Sequence, residues 1–122
     1  MKTLKFNFKI QDLAEMVYEE DYEDVNGTDR NLLRIIFNNL RNEVIKVAMD
    51  SMTIKTTPDT LTVDVPEKAV VRMLTLVIDL IEEIQGKVYI EDIYNIVDLH
   101  EINDPKMESA IEMLMVMADV IQ

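Results

Sequence analysis

The chain contains no cysteine and no tryptophan, and among its 122 residues only two are glycine and three are proline. Without cysteine it can form no disulfide framework, no thiolate zinc site and no cysteine nucleophile, and it fits a reducing compartment. With only Gly27 and Gly86, it lacks the glycine-rich loops that cradle nucleotide phosphates. The sequence therefore excludes several classes of enzyme and predicts no cofactor.

Long apolar runs are also missing from the chain. The most apolar stretch, residues 69–84, is interrupted by charged residues such as Arg72 and Asp79, whereas a membrane span needs about 20 mostly apolar residues. The first nine residues alternate polar and apolar side chains, unlike the apolar core of a signal peptide. We therefore expect a cytoplasmic protein that does not bind or cross a membrane.

Positive charge is scarce, because the chain has 12 Lys and Arg residues and 24 Asp and Glu residues, which gives a formal net charge of −12. This charge disfavours direct binding to nucleic acid or to anionic membranes, because proteins bind both through clusters of Lys and Arg. Hydrophobic residues still make up 48% of the chain, which is typical of a folded protein rather than a disordered one.

Three segments alternate polar and apolar side chains with the period of two that is typical of half-buried strands. The first covers residues 3–10, and the other two flank a turn at Pro58 and Asp59 within residues 51–65. We expect strand 3–10 and hairpin 51–65 to form a small three-stranded antiparallel sheet. Its apolar face should pack under helices through five residues: Phe6, Phe8, Ile54, Leu61 and Val63.

Apolar residues recur at helical spacing through the remainder of the chain. We expect Thr28 or Asp29 to cap the second helix, Pro66 to begin the third and Asp104 to cap the last. The fold class is therefore α+β, with about five helices covering the sheet in a single domain over residues 1–122. The spacing predicts a short helix after residues 88–90 and longer helices over residues 11–24, 30–50, 66–85 and 106–121.

The residue types that carry out catalysis or bind metals are few. The only histidine, His100, would need Ser51 or Ser109 for a hydrolytic triad, and neither serine lies in a glycine-flanked elbow. We interpret His100 as an exposed imidazole near a helix end. The segment around Asn26 matches part of a calcium-binding EF-hand loop but lacks its first and last carboxylates. We predict no catalytic and no metal-binding residues. The sequence leaves one possibility undecided, which is a metal site formed by carboxylates alone.

Acidic residues are concentrated between Lys9 and Arg30, where no basic residue occurs. In a helix over residues 11–24, Glu15, Glu19 and Glu23 would stack at i, i+4 spacing and repel one another. The stretch is either a solvated face, a docking site for a basic protein surface, or an imitation of nucleic-acid phosphates. The candidate partner-binding residues are its acidic and aromatic side chains: Glu15, Tyr18, Glu19, Glu20, Asp21, Tyr22, Glu23 and Asp24.

The last predicted helix is rich in methionine. The side chains of residues 113–118 are all apolar and cannot all face one core, so the helix either lies between layers or exposes a patch. Such a patch would meet a second copy of the chain or a foreign partner. The candidate self-association residues are Met113, Met115 and Met117, and we expect at least a homodimer.

Short, acidic, cysteine-free chains without catalytic motifs resemble the small accessory proteins of bacteriophages and mobile elements, including inhibitors of host defence nucleases. This resemblance rests on size and charge. It implies an interaction module that binds and inhibits a larger basic protein, such as a nuclease or another nucleic-acid-binding protein. The alternative is a homo-oligomeric structural or assembly protein, which the apolar helices favour. A carboxylate-dependent enzyme ranks last, since no catalytic constellation is present.

Overall fold

The computed structural model describes residues 2–48 and 52–122. Three strands and five helices within these ranges confirm the predicted α+β class. The strands are β1 (Thr3–Lys9), β2 (Thr53–Thr56) and β3 (Thr60–Pro66). The helices are α1 (Ile10–Tyr18), α2 (Gly27–Val47), α3 (Val70–Gln85), α4 (Ile90–Ile96) and α5 (Pro105–Met117), with short 3₁₀ turns at Tyr22–Asp24, Glu67–Ala69 and Leu99–Glu101.

The sheet has the strand order β1-β3-β2, and both strand pairs are antiparallel. Val63 in the central strand lies between Phe6 of β1 and Ile54 of β2. The turn of the hairpin closes through a hydrogen bond from the Thr57 N–H to the Thr60 carbonyl at 2.9 Å. The predicted sheet is confirmed, although Ser51, the first residue of the predicted hairpin, lies outside the described residues.

The apolar face of the sheet forms one side of the core. Phe6, Phe8, Leu61 and Val63 are buried, as predicted. The prediction is wrong for Ile54, whose side chain is 36% exposed. The reason is helix coverage: the helices pack over β1 and β3, whereas all four residues of β2 are exposed.

Helix α1 is shorter than the predicted helix over residues 11–24. It ends at Tyr18, and Glu19 adopts a left-handed conformation with φ 55° while its N–H donates to the Glu15 carbonyl. Carboxylates at a helix C-terminus oppose the helix dipole, which accounts for the end of the helix where the acidic run begins. The cap of α2 also differs from the prediction, because the Asn26 side chain, rather than Thr28 or Asp29, accepts from the N–H of Asp29.

The later helices differ from the prediction at their ends. Helix α3 begins at Val70 rather than at Pro66, because Pro66 is the last residue of β3. Helix α5 is capped by Asp104, as predicted, but it ends at Met117. Beyond it, Ile121 pairs with the chain before α4, donating to the Val88 carbonyl and accepting from the Ile90 N–H, each at 2.8 Å. Helix α2 runs from Gly27 to Val47 rather than over residues 30–50, with Ala48 as its C-cap, and Asp50 itself lies outside the described residues.

Helix α3 lies at the centre of the core, which agrees with its nearly all-round apolar sequence. It contributes seven buried side chains, more than any other helix described here: Val70, Met73, Leu74, Val77, Ile78, Leu80 and Ile81. They join buried residues of the sheet and of the other helices in a single cluster. No helix in residues 2–48 or 52–122 is both long enough and apolar enough to cross a membrane.

Candidate acidic interaction site

The chain between α1 and α2 forms a loop of residues 19–24, which we call the acidic loop. Its conformation depends on Gln11 in the first turn of α1. The Gln11 side chain accepts a hydrogen bond from the Tyr22 N–H at 2.8 Å and donates to the Asp21 carboxylate at 2.9 Å. The same amide group donates to Glu15 at 3.1 Å. One neutral side chain therefore fixes both the backbone and a carboxylate of the loop.

Helix α2 supports the loop from the other side. The guanidinium groups of Arg30 and Arg34 lie 5.4 Å and 5.7 Å from the centre of the Tyr22 ring, within the range of cation–π attraction. Arg30 also donates to the backbone carbonyl of Glu23. These two arginines thus contact the ring and the backbone of the loop rather than its carboxylates.

The acidic side chains of the loop remain exposed and unpaired. Within residues 2–48 and 52–122 the ion pairs are Arg34–Asp59 at 3.4 Å and Lys46–Glu43 at 3.2 Å, and neither includes a loop residue. The loop therefore presents concentrated negative charge from a fixed backbone. Its exposed acids are Glu19, Glu20, Asp21, Glu23 and Asp24.

The predicted stack of Glu15, Glu19 and Glu23 along one helix face is wrong. The helix ends before Glu19, and Glu23 lies in the following 3₁₀ turn. Like-charge repulsion along a continuous helix is therefore not a property of this site. The charges are instead spread over a turn, where each carboxylate can project separately into solvent.

The two tyrosines of the predicted binding set are half-buried and pack against the core. Partial desolvation, and then the neighbouring Asp29 carboxylate, raises the pKa of Tyr18 above its ordinary value. Tyr22 lies under the arginines of α2. Both rings therefore contribute to the support of the loop, while Glu15 and the acids of the loop are the exposed members of the set.

A cleft of about 210 Å³ adjoins the acidic loop between α1 and α4. Asp92 on the α4 side accepts a hydrogen bond from the Gln85 amide at 2.7 Å. The cleft extends the negative surface from the loop onto a second helix. Its lining consists of four carboxylates with polar and apolar neighbours: Asp12, Glu15, Glu19, Asp92, Met16, Gln85, Tyr89 and Asn95.

Asp12 differs from the other acids of this surface. Its Oδ2 atom is enclosed and has no hydrogen-bond partner among the described residues. Burial raises the pKa of Asp12 from 3.8 to about 6, against the lowering effect of Lys9 and with further increases from Glu15 and Asp92. Asp12 therefore changes charge just below neutral pH. Nothing in the sequence distinguishes it from its acidic neighbours, because its burial and the approach of Asp92 exist only in the folded chain.

The structure separates the three methionines predicted for self-association. Met115 is only 6% exposed and belongs to the core of its own chain, so it is not available to a second copy. Met113 and Met117 are 65% and 77% exposed, and Val116 beside them is exposed as well. The exposed patch on α5 is therefore formed by Met113, Val116 and Met117.

The remaining candidates for chemistry lie apart from the acidic surface. His100 is exposed in the 3₁₀ turn Leu99–Glu101, and its ring stacks on Tyr94 with the ring centres 5.2 Å apart. Asn26 caps α2 instead of contributing to a calcium loop. In the parts of the chain that the structure describes, no three His, Cys, Asp or Glu side chains are arranged to hold a metal ion.

Comparison with models of known protein families, with curated protein sequences and with solved structures found no match for this chain. The functional interpretation therefore rests on the arrangement of its own residues.

Proposed function

We propose that the protein is a small acidic interaction module that binds and inhibits a larger basic protein, such as a nuclease or another nucleic-acid-binding protein. One observation carries the proposal. The exposed carboxylates of the acidic loop have no ion-pair partner in the described parts of the chain, and they project from a backbone held by Gln11. A cytoplasmic location is part of the same proposal.

Electrostatics and preorganisation both support binding through this loop. Clustered charge of one sign accelerates encounter with a surface of the opposite sign, and salt screens this attraction over about 8–10 Å. A loop already fixed by hydrogen bonds loses little conformational freedom when it binds. The acidic cleft adds Glu15 and Asp92 to the same surface.

Inhibition follows from the nature of the basic partner. Proteins that bind nucleic acid use Lys and Arg to neutralise phosphates, so a concentrated acidic surface competes for the same groups. Full mimicry of phosphate spacing is not required, because blocking the basic surface is sufficient.

The second candidate is a homo-oligomeric structural or assembly protein. The observation that favours it is the exposed patch of Met113, Val116 and Met117, which lie at i, i+3 and i+4 on one face of α5. The net charge of −12 on each copy opposes this association at low salt. We therefore rank it below binding to a basic protein.

The test begins with the heparin-binding fraction of a cell lysate passed over the immobilised protein. A retained protein is identified and purified, and its association kinetics and nuclease activity are measured at several salt concentrations. The Glu20→Lys/Glu23→Lys variant should associate at least about tenfold more slowly and with a weaker dependence on salt. Glu91→Lys/Glu101→Lys, at exposed positions outside the acidic loop, the acidic cleft and the α5 patch, changes the net charge equally and is the matched control.

Two results would overturn the proposal. In the first, the loop variant associates at the wild-type rate with the wild-type salt dependence, so the loop is only a solvated surface. In the second, no basic protein is retained and the chain sediments as a stable oligomer, which supports the assembly protein instead.

A further inference from the structure

A groove of about 760 Å³ runs between α2 and α3, with the end of α1 at one side. Its floor is apolar, although the groove is open to solvent. The α2 side contributes Ile36 and Leu40, which are one helical turn apart. The full set of floor residues is buried or half-buried: Val17, Ile36, Leu40, Leu76, Leu80 and Ile84.

The rim of the groove carries exposed carboxylates. Glu43 on α2 pairs with Lys46 at 3.2 Å, which places one cation near that end. Asp79 and Glu83 on α3 form no ion pair with any residue in the two described ranges. The groove thus combines an apolar floor with a negatively charged rim.

We propose that this groove binds a cationic amphipathic helix of the partner protein. The inference rests on the proposed function and specifies the partner chemistry. Apolar side chains of such a helix, at i, i+3 or i+4, and i+7, would fill the floor, while Lys or Arg on the side of the helix that faces α3 would reach Asp79 and Glu83. From Leu76 to Ile84 the α3 wall spans about 12 Å at 1.5 Å per residue, which is enough for about two turns of the bound helix.

The charge of this chain argues against a second copy as the occupant. Each copy carries a net charge of −12, which opposes docking of one copy on the acidic rim of another. The exposed apolar face of α5 is one segment that could enter a groove, yet residues 107–122 contain no Lys or Arg. Glu112 and Asp119 flank that face instead. A docked α5 would bring carboxylates to a rim that is already acidic, so the rim selects a cationic partner.

The groove lies beside the acidic loop in the chain. Val17, which lines the groove, is followed within two residues by Glu19, the first residue of the loop. A basic protein could therefore engage the loop through its surface charges and the groove through one helix. The two contacts are separable by mutation, because Asp79 and Glu83 lie on α3 and not in the loop.

The probe is a fluorescein-labelled peptide of about four helical turns, with Leu at i, i+3, i+4 and i+7 and Lys at the other positions. Binding to the full chain is followed by fluorescence anisotropy at physiological salt. A scrambled peptide of the same composition, which has no apolar face when helical, measures the contribution of charge alone. The first peptide should bind at least about tenfold more tightly than the scrambled one.

Three variants locate the binding site, each with thermal unfolding as a check of folding. Asp79→Lys/Glu83→Lys and, separately, Leu76→Gln should each weaken binding of the amphipathic peptide by about tenfold or more. Glu91→Lys/Glu101→Lys, two exposed positions that line neither the groove nor the acidic cleft, makes the same charge change as the first variant and should have a much smaller effect.

The outcomes distinguish the two proposals. If the scrambled peptide binds equally, or if only Glu20→Lys/Glu23→Lys in the loop weakens binding, the groove inference fails while the proposed function stands. If neither peptide binds, the groove inference fails. The proposed function is then decided separately, by the association kinetics of the chain with the purified basic partner. If the chain dimerises and Leu76→Gln abolishes the dimer, the occupant is a second copy and the inference is overturned.

Discussion

Replacing Asp12 with Asn should stabilise the protein at neutral pH and have little effect in acid. Burial raises the pKa of Asp12 in the folded state to about 6, from an ordinary value of 3.8. Between these values the folded protein holds a proton that the unfolded chain has released. Stability falls as pH rises wherever the folded state binds more protons, so the penalty develops from about pH 4 and is complete above about pH 6.

The size of the effect follows from the same shift. A rise from 3.8 to about 6 corresponds to a ceiling of about 3 kcal/mol at 1.36 kcal/mol per pKa unit. Asp12 is only half-buried, so solvent screening reduces the expected penalty to about 1–2 kcal/mol. An Asn side chain has no charge to desolvate, and its amide can donate to Glu15 or Asp92, whose charges act on Asp12 in the native protein.

Urea unfolding of the wild type and of Asp12→Asn at pH values from about 4 to about 8 measures the difference directly. The free energy of unfolding of the variant should exceed that of the wild type by about 1–2 kcal/mol above pH 6, and the two should be equal near pH 4. Asp24→Asn, which removes an exposed carboxylate of the acidic loop, is the control for the loss of one negative charge. A constant difference between Asp12→Asn and the wild type at every pH would refute the reasoning, because it would exclude titration of Asp12 as the cause.

Three further predictions concern packing, backbone conformation and association. Phe8→Ala should destabilise the fold by about 3–5 kcal/mol in urea unfolding, whereas Ile54→Ala should cost less than about 1 kcal/mol; equal losses would contradict the assigned faces of the sheet. Gly86→Ala should lower stability by about 1 kcal/mol, because Gly86 ends α3 with φ 77°, and no loss would show that this conformation is unstrained. If the chain forms a dimer at micromolar concentration, Met113→Glu/Met117→Glu should shift it to monomer in sedimentation, whereas an unchanged dimer would exclude the α5 patch.

The sheet could be predicted because its signal is local. Alternation within residues 3–10 and 51–65 determines which side chains share a face, and the buried set of Phe6, Phe8, Leu61 and Val63 follows from it. Which strands the helices cover depends on the packing of distant segments. For this reason Ile54 has the pattern of a core residue and yet is exposed on β2.

The end of α1 was less predictable, because two local signals conflict. Apolar and aromatic residues continue at helical spacing as far as Tyr22, which favours a helix, while the acids after Tyr18 oppose the helix dipole at its C-terminus. No glycine marks the left-handed residue, and Glu19 adopts this conformation at some cost. The sequence therefore located the acidic residues but predicted the wrong arrangement of their charges.

The features that define the candidate surface in detail depend on contacts between distant residues. Gln11 is an ordinary polar residue in the sequence, and only the folded chain brings its amide to Tyr22 and Asp21. Asp12 acquires its raised pKa from enclosure and from Asp92 on another helix. The groove likewise requires α2 and α3 to lie side by side. Sequence patterns can locate charge, but they cannot show which charges are desolvated or unpaired.

The acidic run therefore has two physical consequences that operate together. By opposing the dipole of α1 it helps to end the helix at Tyr18, and the resulting turn directs the carboxylates of residues 19–24 outward instead of along one helix face. Like charges in a turn would spread apart in the absence of other contacts. Gln11 on one side and the arginines around Tyr22 on the other hold the loop without neutralising its exposed carboxylates. The protein thus stabilises the backbone of the loop and leaves its charge exposed to solvent.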